Sequence, residues 1–414
     1  MKILNFGSCN IDFVYSLNHI VAAGETAVSL NMNTFPGGKG LNQSIALARA
    51  GIKVCHAGCI GNDGEFLLNL LKDNGVDTSN IMRVNAKNGH AIIQVSCDGE
   101  NSIFIYPGSN AMVTDKYVQS VLQGFGKGDF ILLQNEINMI DSIIKKAYEK
   151  KMCIVLNPSP CNEKIMDIDL NMVSYLILNE IEAKMLTGCA LPESSLKYFV
   201  EKYPNIKVVL TLGKKGSIYC DKSNKIFQPS FCVTTVDTTA AGDTFTGYFI
   251  AMTARGENYR KALKIASAAA AIAVSKNGAA PSIPKLCEVL TAVNLMSENA
   301  DGKSKLTKDK INEYAKKNLK SASIEGLAKI LGYSESYTQS IVKNLFGAPF
   351  SKLIQSKRCD AAAKMLEETD LPIGEIINAT GYENENFFRK IFKQKYGKNM
   401  LEYRKFIRRT KNEH

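Results

Sequence analysis

Over the first 295 residues, short runs of apolar and β-branched residues alternate with longer stretches whose apolar positions recur at helical spacing. The short runs Ile3–Phe6, Val54–Ile60, Phe130–Gln134, Cys153–Leu156, Tyr175–Leu178 and Val208–Thr211 predict strands. Leu41–Ala50, Phe66–Asn74 and Ile140–Lys150, which lie between them, predict amphipathic helices. This alternation predicts an α/β, doubly wound, mostly parallel sheet with helices on both faces. One interval breaks the rhythm. Ala91–Ser96 and Ser102–Tyr106 flank the turn-forming Asp98-Gly99-Glu100-Asn101 and predict a hairpin, either decoration or a small β lid over a site.

Residues 296–306 are polar and small and read as a linker. Beyond them every apolar pattern is helical. Ile324, Leu327, Ala328 and Leu331 share one helix face and Gly332-Tyr333 ends that helix. Ser334 can cap a second helix carrying Tyr337, Ile341 and Leu345. Forty-nine residues later the unit recurs, with Ile373, Ile376, Ile377 and Thr380 before Gly381-Tyr382, then Phe387, Phe388, Ile391 and Phe392. A long helix around Phe350–Glu368 joins the two. The expected organisation is an α/β domain over 1–295, a linker over 296–306, an all-α domain with two helix-turn-helix units over 307–408 and a tail over 409–414.

At 414 residues the chain is long enough for two or three cores. Its N-terminus, MKILNFGSCNID, has neither the apolar core nor the cleavage site of a secretion signal, and no apolar run is long enough to cross a bilayer. A cytoplasmic protein without a membrane partner is expected. The 11 cysteines are scattered singly, and beyond Cys55 and Cys59 no second pair or histidine cluster completes a metal site. Charge is uneven: 23 of the 51 Lys and Arg, but only 13 of the 40 Asp and Glu, lie between Lys303 and His414. That last quarter carries almost all of the net charge of +11, which fits either a solvated lysine-rich surface or a polyanion partner.

Three polar loops carry candidate chemistry. In Val236–Gly247, the small residues Ala240, Ala241 and Gly242 precede a helical run, so backbone amides and the helix dipole would face an anion. Asp243 at that point is either a helix cap or a base beside a phosphate cradle. In Phe35–Gln43, Gly37 and Gly38 allow close backbone approach, and Asn42 can serve sugar hydroxyls as donor and acceptor. Asn10 and Asp12 fall just past the first strand, on the edge where doubly wound sheets bind ligands.

Together these segments resemble the ribokinase branch of the PfkB carbohydrate kinase family. The resemblance rests on Gly37-Gly38-Lys39-Gly40 with Asn42-Gln43, on Asp237–Asp243, on Asn179-Glu-Ile-Glu182, on Thr211–Gly216 and on Ala273–Ser282. It implies a ribokinase-like fold that transfers phosphate from ATP to the primary hydroxyl of a small sugar, ribose foremost. Asp243 would be the base, with the amides of Ala241, Gly242 and Asp243 as anion hole. Asn10, Asp12, Gly38, Lys39, Asn42 and Glu136 would hold the sugar, and Asn179, Thr211, Gly213, Gly216 and Gly242 the ATP. Glu182 would hold Mg²⁺ through water. Asp237, Thr239, Ala273, Lys276, Gly278 and Ser282 would hold K⁺. The family also implies a homodimer through the lid. Cys9, Ile11, Leu41 and Tyr106 depart from the residues expected near the sugar and leave another pentose, a fructose-like sugar or a nucleoside open.

The helical module resembles the AraC/XylS type of transcription-factor domain, through Arg358–Leu366, Phe387–Gly397 and Glu402-Tyr-Arg404. Met400 stands where the type has proline, and Asn378 is an unusual choice near the second turn. The resemblance implies double-stranded DNA as a partner, read by Ser336, Thr338, Gln339 and Lys343 and by Asn386, Arg389 and Lys390. Retention of Asp243 and Glu182 favours an active kinase that also regulates transcription over a sugar sensor without turnover.

Overall fold

The computed structural model describes residues 1–298, 304–333, 335–382 and 384–412. The chain divides into two compact units, Met1–Val293 and Asn294–His414.

Nine strands of the first unit form one sheet. From edge to edge they are Lys225–Gln228, Ser217–Cys220, Lys207–Thr211, Tyr175–Asn179, Cys153–Asn157, Phe130–Gln134, Ile3–Phe6, Val54–Ile60 and Asp77–Arg83. All neighbours are parallel except at the first edge, where Ser217–Cys220 runs against both flanking strands. Every residue of Ile3–Phe6, Val54–Ile60 and Phe130–Gln134 is buried, as a parallel strand covered on both faces requires. The chain leaves Ile3–Phe6 toward Val54–Ile60 on one side and returns to Phe130–Gln134 on the other. The resulting crevice at their carboxyl ends is the switch point where such sheets bind ligands.

The expected hairpin is half of a second sheet. Gly89–Ser96 pairs antiparallel with Asn101–Tyr106 and parallel with Asn10–Leu17, which in turn pairs antiparallel with Asn31–Gly37. Asn10 and Asp12 therefore belong to a lid strand rather than to a loop. Leu41 is fully buried in the core, and Tyr106 lies exposed on the lid, its ring centroid 5.0 Å from that of His90.

The second unit is all helical, with a first helix–turn–helix of Ile324–Leu331 and Glu335–Phe346 and a second of Ile373–Ala379 and Glu385–Tyr396. Phe350–Glu368 connects them, and Met400–Asn412 closes the unit. Gly332 and Gly381 take positive φ at the two turns, as the sequence required, while Ser334 lies outside the described residues. Met400 is buried in the core of the second half, and Asn378 points to solvent. The stretch expected as a linker holds the end of one helix, Leu286–Glu298, and the start of another, Ser304–Lys317. The expected tail is helical as far as Asn412. No helix among the described residues is long and apolar enough to cross a membrane.

Candidate active site and nucleic-acid interface

The glycine loop closes over the crevice because three close approaches leave no room for side chains. Gly38 has φ +94°, and a Cβ there would lie 2.9 Å from the Asn10 nitrogen. A Cβ on Gly40 would lie 2.3 Å from the Ser8 nitrogen, and one on Gly37 would overlap the Asp12 carboxylate. The helix Lys39–Arg49 begins directly behind this loop, so Asn42 and Gln43 project into the crevice from its first turn. Glu136, just past the strand Phe130–Gln134, accepts from the Lys39 amide at 2.9 Å and from the Ser8 hydroxyl at 2.5 Å. Asn110 Nδ2 donates to Asn10 Oδ1 at 2.6 Å and fixes that side chain.

Asp243 lies at the start of the helix Ala241–Ala254, which Ala240 initiates in the left-handed region at φ 59°. Its carboxylate accepts from Asn42 Nδ2 at 3.0 Å and Gln43 Nε2 at 2.9 Å. Gln43 is held in turn: its Nε2 also donates to Asn157 at 3.0 Å, and its Oε1 accepts from Gln134 at 2.7 Å. Gln134 also donates to Asn5 at 2.9 Å. A chain of buried amides thus aims the carboxylate. Asn42 Oδ1 is buried and has no partner, an acceptor available to a ligand hydroxyl.

The electrostatics are those of crowded carboxylates around one cation. Burial, with Glu136 and Asp243 nearby, pushes the Asp12 carboxyl up to about 7 against the opposing pull of Lys39. Burial raises Glu136 as well, opposed by Lys39 and by the hydrogen bonds from Ser8 and the Lys39 amide. Lys39 is raised, chiefly by Asp243 and against its own desolvation, so it is held as the cation.

Lys39, Asn179, Glu182, Thr211, Ala241, Gly242 and Asp243 line one cavity of about 190 Å³, which unites the expected catalytic, magnesium and nucleotide residues. Space beside Gly242 is open, with nothing within 4 Å of where a Cβ would stand. The Ala241 amide donates to the Thr238 carbonyl at 3.3 Å, while the amides of Gly242 and Asp243 have no earlier carbonyl of their own helix to serve. Asn179 and Glu182 form a reciprocal cap: Glu182 N donates to Asn179 Oδ1 at 2.9 Å and Asn179 N to Glu182 Oε2 at 3.0 Å. That turns the buried Glu182 into the cavity. Gly213 and Gly216 do not line it. Gly216, at φ +121°, makes room for the Gln228 carbonyl, 2.1 Å from where its Cβ would be.

Two loops expected to hold a cation are tied together. Asp237 accepts from Thr239 N and Oγ1 at 2.9 and 2.6 Å and from Gly278 N at 2.9 Å. These hydrogen bonds outweigh burial and lower its carboxyl. Ser282 Oγ donates to the Ala279 carbonyl at 2.8 Å, and Lys276 N to that of Ala273 at 3.1 Å. Lys276 Nζ pairs with Glu288 at 3.2 Å.

The residues that orient Asp243 were missed in part. Asn5, Gln134 and Asn157 were not singled out, although the strands ILNF, FILLQ and CIVLN each place an amide at or near the carboxyl end of an apolar run. That pattern is the signal that could have found them.

In the second unit, Lys343, Asn386 and Lys390 are exposed on the second helices of the two turns. Thr338 is not a DNA contact: it is fully buried, because it shares a helix face with Ile341 and Val342. Gln339 is half-buried and Arg389 pairs with Glu385 at 2.9 Å, while the Ser336 side chain lies outside the described residues. Phe387, 52% exposed beside Asn386 and Lys390, was read only as core.

A carboxylate at a helix N-terminus, opening on a cleft at a sheet switch point, suits phosphoryl transfer to an alcohol. The comparisons make this specific. The model of the pfkB family carbohydrate kinases matches residues 1–286, and the chain belongs to that family. A helix-turn-helix domain model matches residues 327–405, and this part of the chain is an AraC-type helix-turn-helix domain. The chain is 37% identical over 288 residues to the ribokinase of Bacillus subtilis (strain 168), covering 68% of this chain and 96% of that one. Ribokinase from Cryptococcus neoformans in complex with ADP matches with a TM-score of 0.63 and 32% identity, over 70% of this chain and 98% of that one. Arabidopsis thaliana ribokinase complexed with ribose and ATP matches with a TM-score of 0.63 and 28% identity, over 70% and 98%. The protein is a carbohydrate kinase fused to a helix-turn-helix domain.

Proposed function

We propose that the first unit phosphorylates the primary hydroxyl of ribose with ATP, and that the second couples sugar status to transcription by binding DNA. The observation that carries the kinase proposal is Asp243, oriented by Asn42 and Gln43 and set among the first-turn amides of its helix. Asp243 takes the proton from the sugar hydroxyl. The amides of Ala241, Gly242 and Asp243 stabilise charge on the migrating phosphoryl group, a contribution of about 3–4 kcal/mol for a well-placed donor. Asn10, Asp12, Gly38, Lys39, Asn42 and Glu136 hold the sugar, with the unpartnered Asn42 Oδ1 accepting from a hydroxyl. Asn179 and Thr211 receive the nucleotide.

Mg²⁺ fits Glu182. Its buried carboxylate lines the cavity and, as a single carboxylate, would hold the ion through water. Bound there, the ion would neutralise phosphate charge. K⁺ fits the oxygen donors of Asp237, Thr239 and Ser282 and the carbonyls of Ala273, Lys276 and Gly278, at the negative end of the helix Tyr259–Val274. Exposed Met32, Phe35, Ile103 and Ile105 on the lid support a homodimer through that sheet.

A coupled assay with ribose, ATP, Mg²⁺ and K⁺ tests the kinase. Turnover with ribose above other pentoses, fructose and nucleosides is expected, and no turnover with any of them would leave a sugar-sensing regulator. DNA affinity measured with and without ribose tests the coupling.

A further inference from the structure

We propose that Arg358 is a clasp that fixes the spacing of the two reader helices and so selects operators by the distance between their halves. The proposal rests on the second unit binding DNA. The helix Phe350–Glu368 has 19 residues, about 28 Å in length, and each of its ends is built into a different half of the unit. At its start Phe350 packs on Tyr314 of the first half, with ring centroids 6.4 Å apart. Toward its end Cys359, Ala362, Ala363 and Leu366 are buried with Phe388 and Phe392 of the second reader helix.

A rod of this kind fixes the distance between the halves. Arg358, midway along, ties them to each other across it. Its Nε donates to the Leu319 carbonyl at 2.9 Å and its Nη2 to the Lys320 carbonyl at 2.7 Å, in the turn leading to the first helix–turn–helix. The same guanidinium lies 5.1 Å from the ring centroid of Tyr382, and Tyr382 packs on Phe388 with centroids 4.8 Å apart. One planar group thus binds both halves, which the point charge of a lysine cannot do. Gly381 has φ +86°, and a Cβ there would lie 2.7 Å from Lys320 Cα, so the two turns also touch directly. The second reader is fixed to the rod from its other end, where Lys395 donates to Ser356 Oγ at 2.7 Å and to Asp360 at 2.5 Å.

Two readers held at one separation bind successive groove segments as a single ligand, with the second contact strengthened by its high effective concentration. A loosened clasp removes that advantage and leaves each reader's own contacts intact.

The test uses the full chain and a duplex enriched by the wild type from a random-sequence library. Arg358→Met, Arg358→Lys and Tyr382→Leu are measured on three duplexes: the enriched one, one with a single half kept, and one with two base pairs inserted between the halves. Helical content and thermal melting are followed for each variant. For folded Arg358→Met, affinity for the enriched duplex falls ~10-fold or more while affinity for the single half changes less than about twofold. The penalty for the insertion shrinks, and Arg358→Lys recovers only part of the loss. Equal losses on the whole and half duplexes would make Arg358 merely structural and overturn the proposal, as would no loss or a wild type indifferent to the insertion. A wild type that enriches no sequence would instead overturn the DNA-binding function itself.

Discussion

Replacing Asp243 by asparagine separates the chemistry of the carboxylate from its place in the structure. The carboxylate accepts from Asn42 and Gln43, so an amide at this position must set its NH₂ against one of two donors. Gln43 cannot turn to accept it, because its own amide is fixed by Asn157 and Gln134. Asn42 can turn, since its Oδ1 is buried without a partner. A half-turn of Asn42 then restores both hydrogen bonds at almost no cost, and the folded structure survives. What is lost is the base, a loss of about 10²–10⁴-fold in kcat. That range corresponds to about 2.7–5.4 kcal/mol of transition-state stabilisation. Steady-state kinetics with ribose and ATP, beside a thermal melt, should give a collapsed kcat, a ribose KM changed only a few-fold and a melting temperature close to that of the wild type. A kcat within threefold of wild type would refute Asp243 as the base. A large fall in melting temperature would refute the account of Asn42.

Asp12, raised to about 7, is protonated on the acid side of that value and ionised above it. An ionised carboxylate accepts from two sugar hydroxyls, so the ribose KM should fall as pH rises from about 6 to about 8, and Asp12→Asn should flatten the profile. Stability of the empty protein runs the other way: the fold holds a proton that the unfolded chain releases above its ordinary value of 3.8, so this group's contribution declines as pH rises through the folded value. Gly40→Ala would place a methyl 2.3 Å from the Ser8 nitrogen and should cost at least about 1–3 kcal/mol by thermal melting, with sugar affinity lost as well. Phe387→Ala should relax a thymine preference by about 1–3 kcal/mol in competition binding, since an exposed ring on a reader helix suits a thymine methyl. Lys390→Ala should weaken binding to all sequences and lower the salt slope by about 1.

The sheet was legible because a parallel strand buried on both faces writes a continuous apolar run. Ile3–Phe6, Val54–Ile60 and Phe130–Gln134 begin and end where the sequence places them. The lid was half legible. Gly89–Ser96 and Asn101–Tyr106 carry β-branched residues and a turn, whereas Asn31–Gly37 is exposed over its first five residues and has no inward face to set an alternation. Asp243, Asn42 and Glu182 stand out in the sequence through their motifs, and each is a buried polar side chain in the structure. The amides behind them do not stand out, because their roles depend on strands meeting far apart in sequence: Gln134 reaches both Asn5 and Gln43. Thr338 was misplaced because the buried stripe of its helix, Thr338–Ile341–Val342, lies one position away from the Tyr337–Ile341–Leu345 face read from the aromatic and aliphatic residues.

The second sheet is rooted at the proposed sugar site. Asn10 stands in register with both Gly37 and Gly89, so the strand that rises into the lid starts at a residue proposed to hold the sugar. The cover and the residues proposed to grip the sugar are therefore parts of one strand, so a displacement of the cover would carry Asn10 and Asp12 with it.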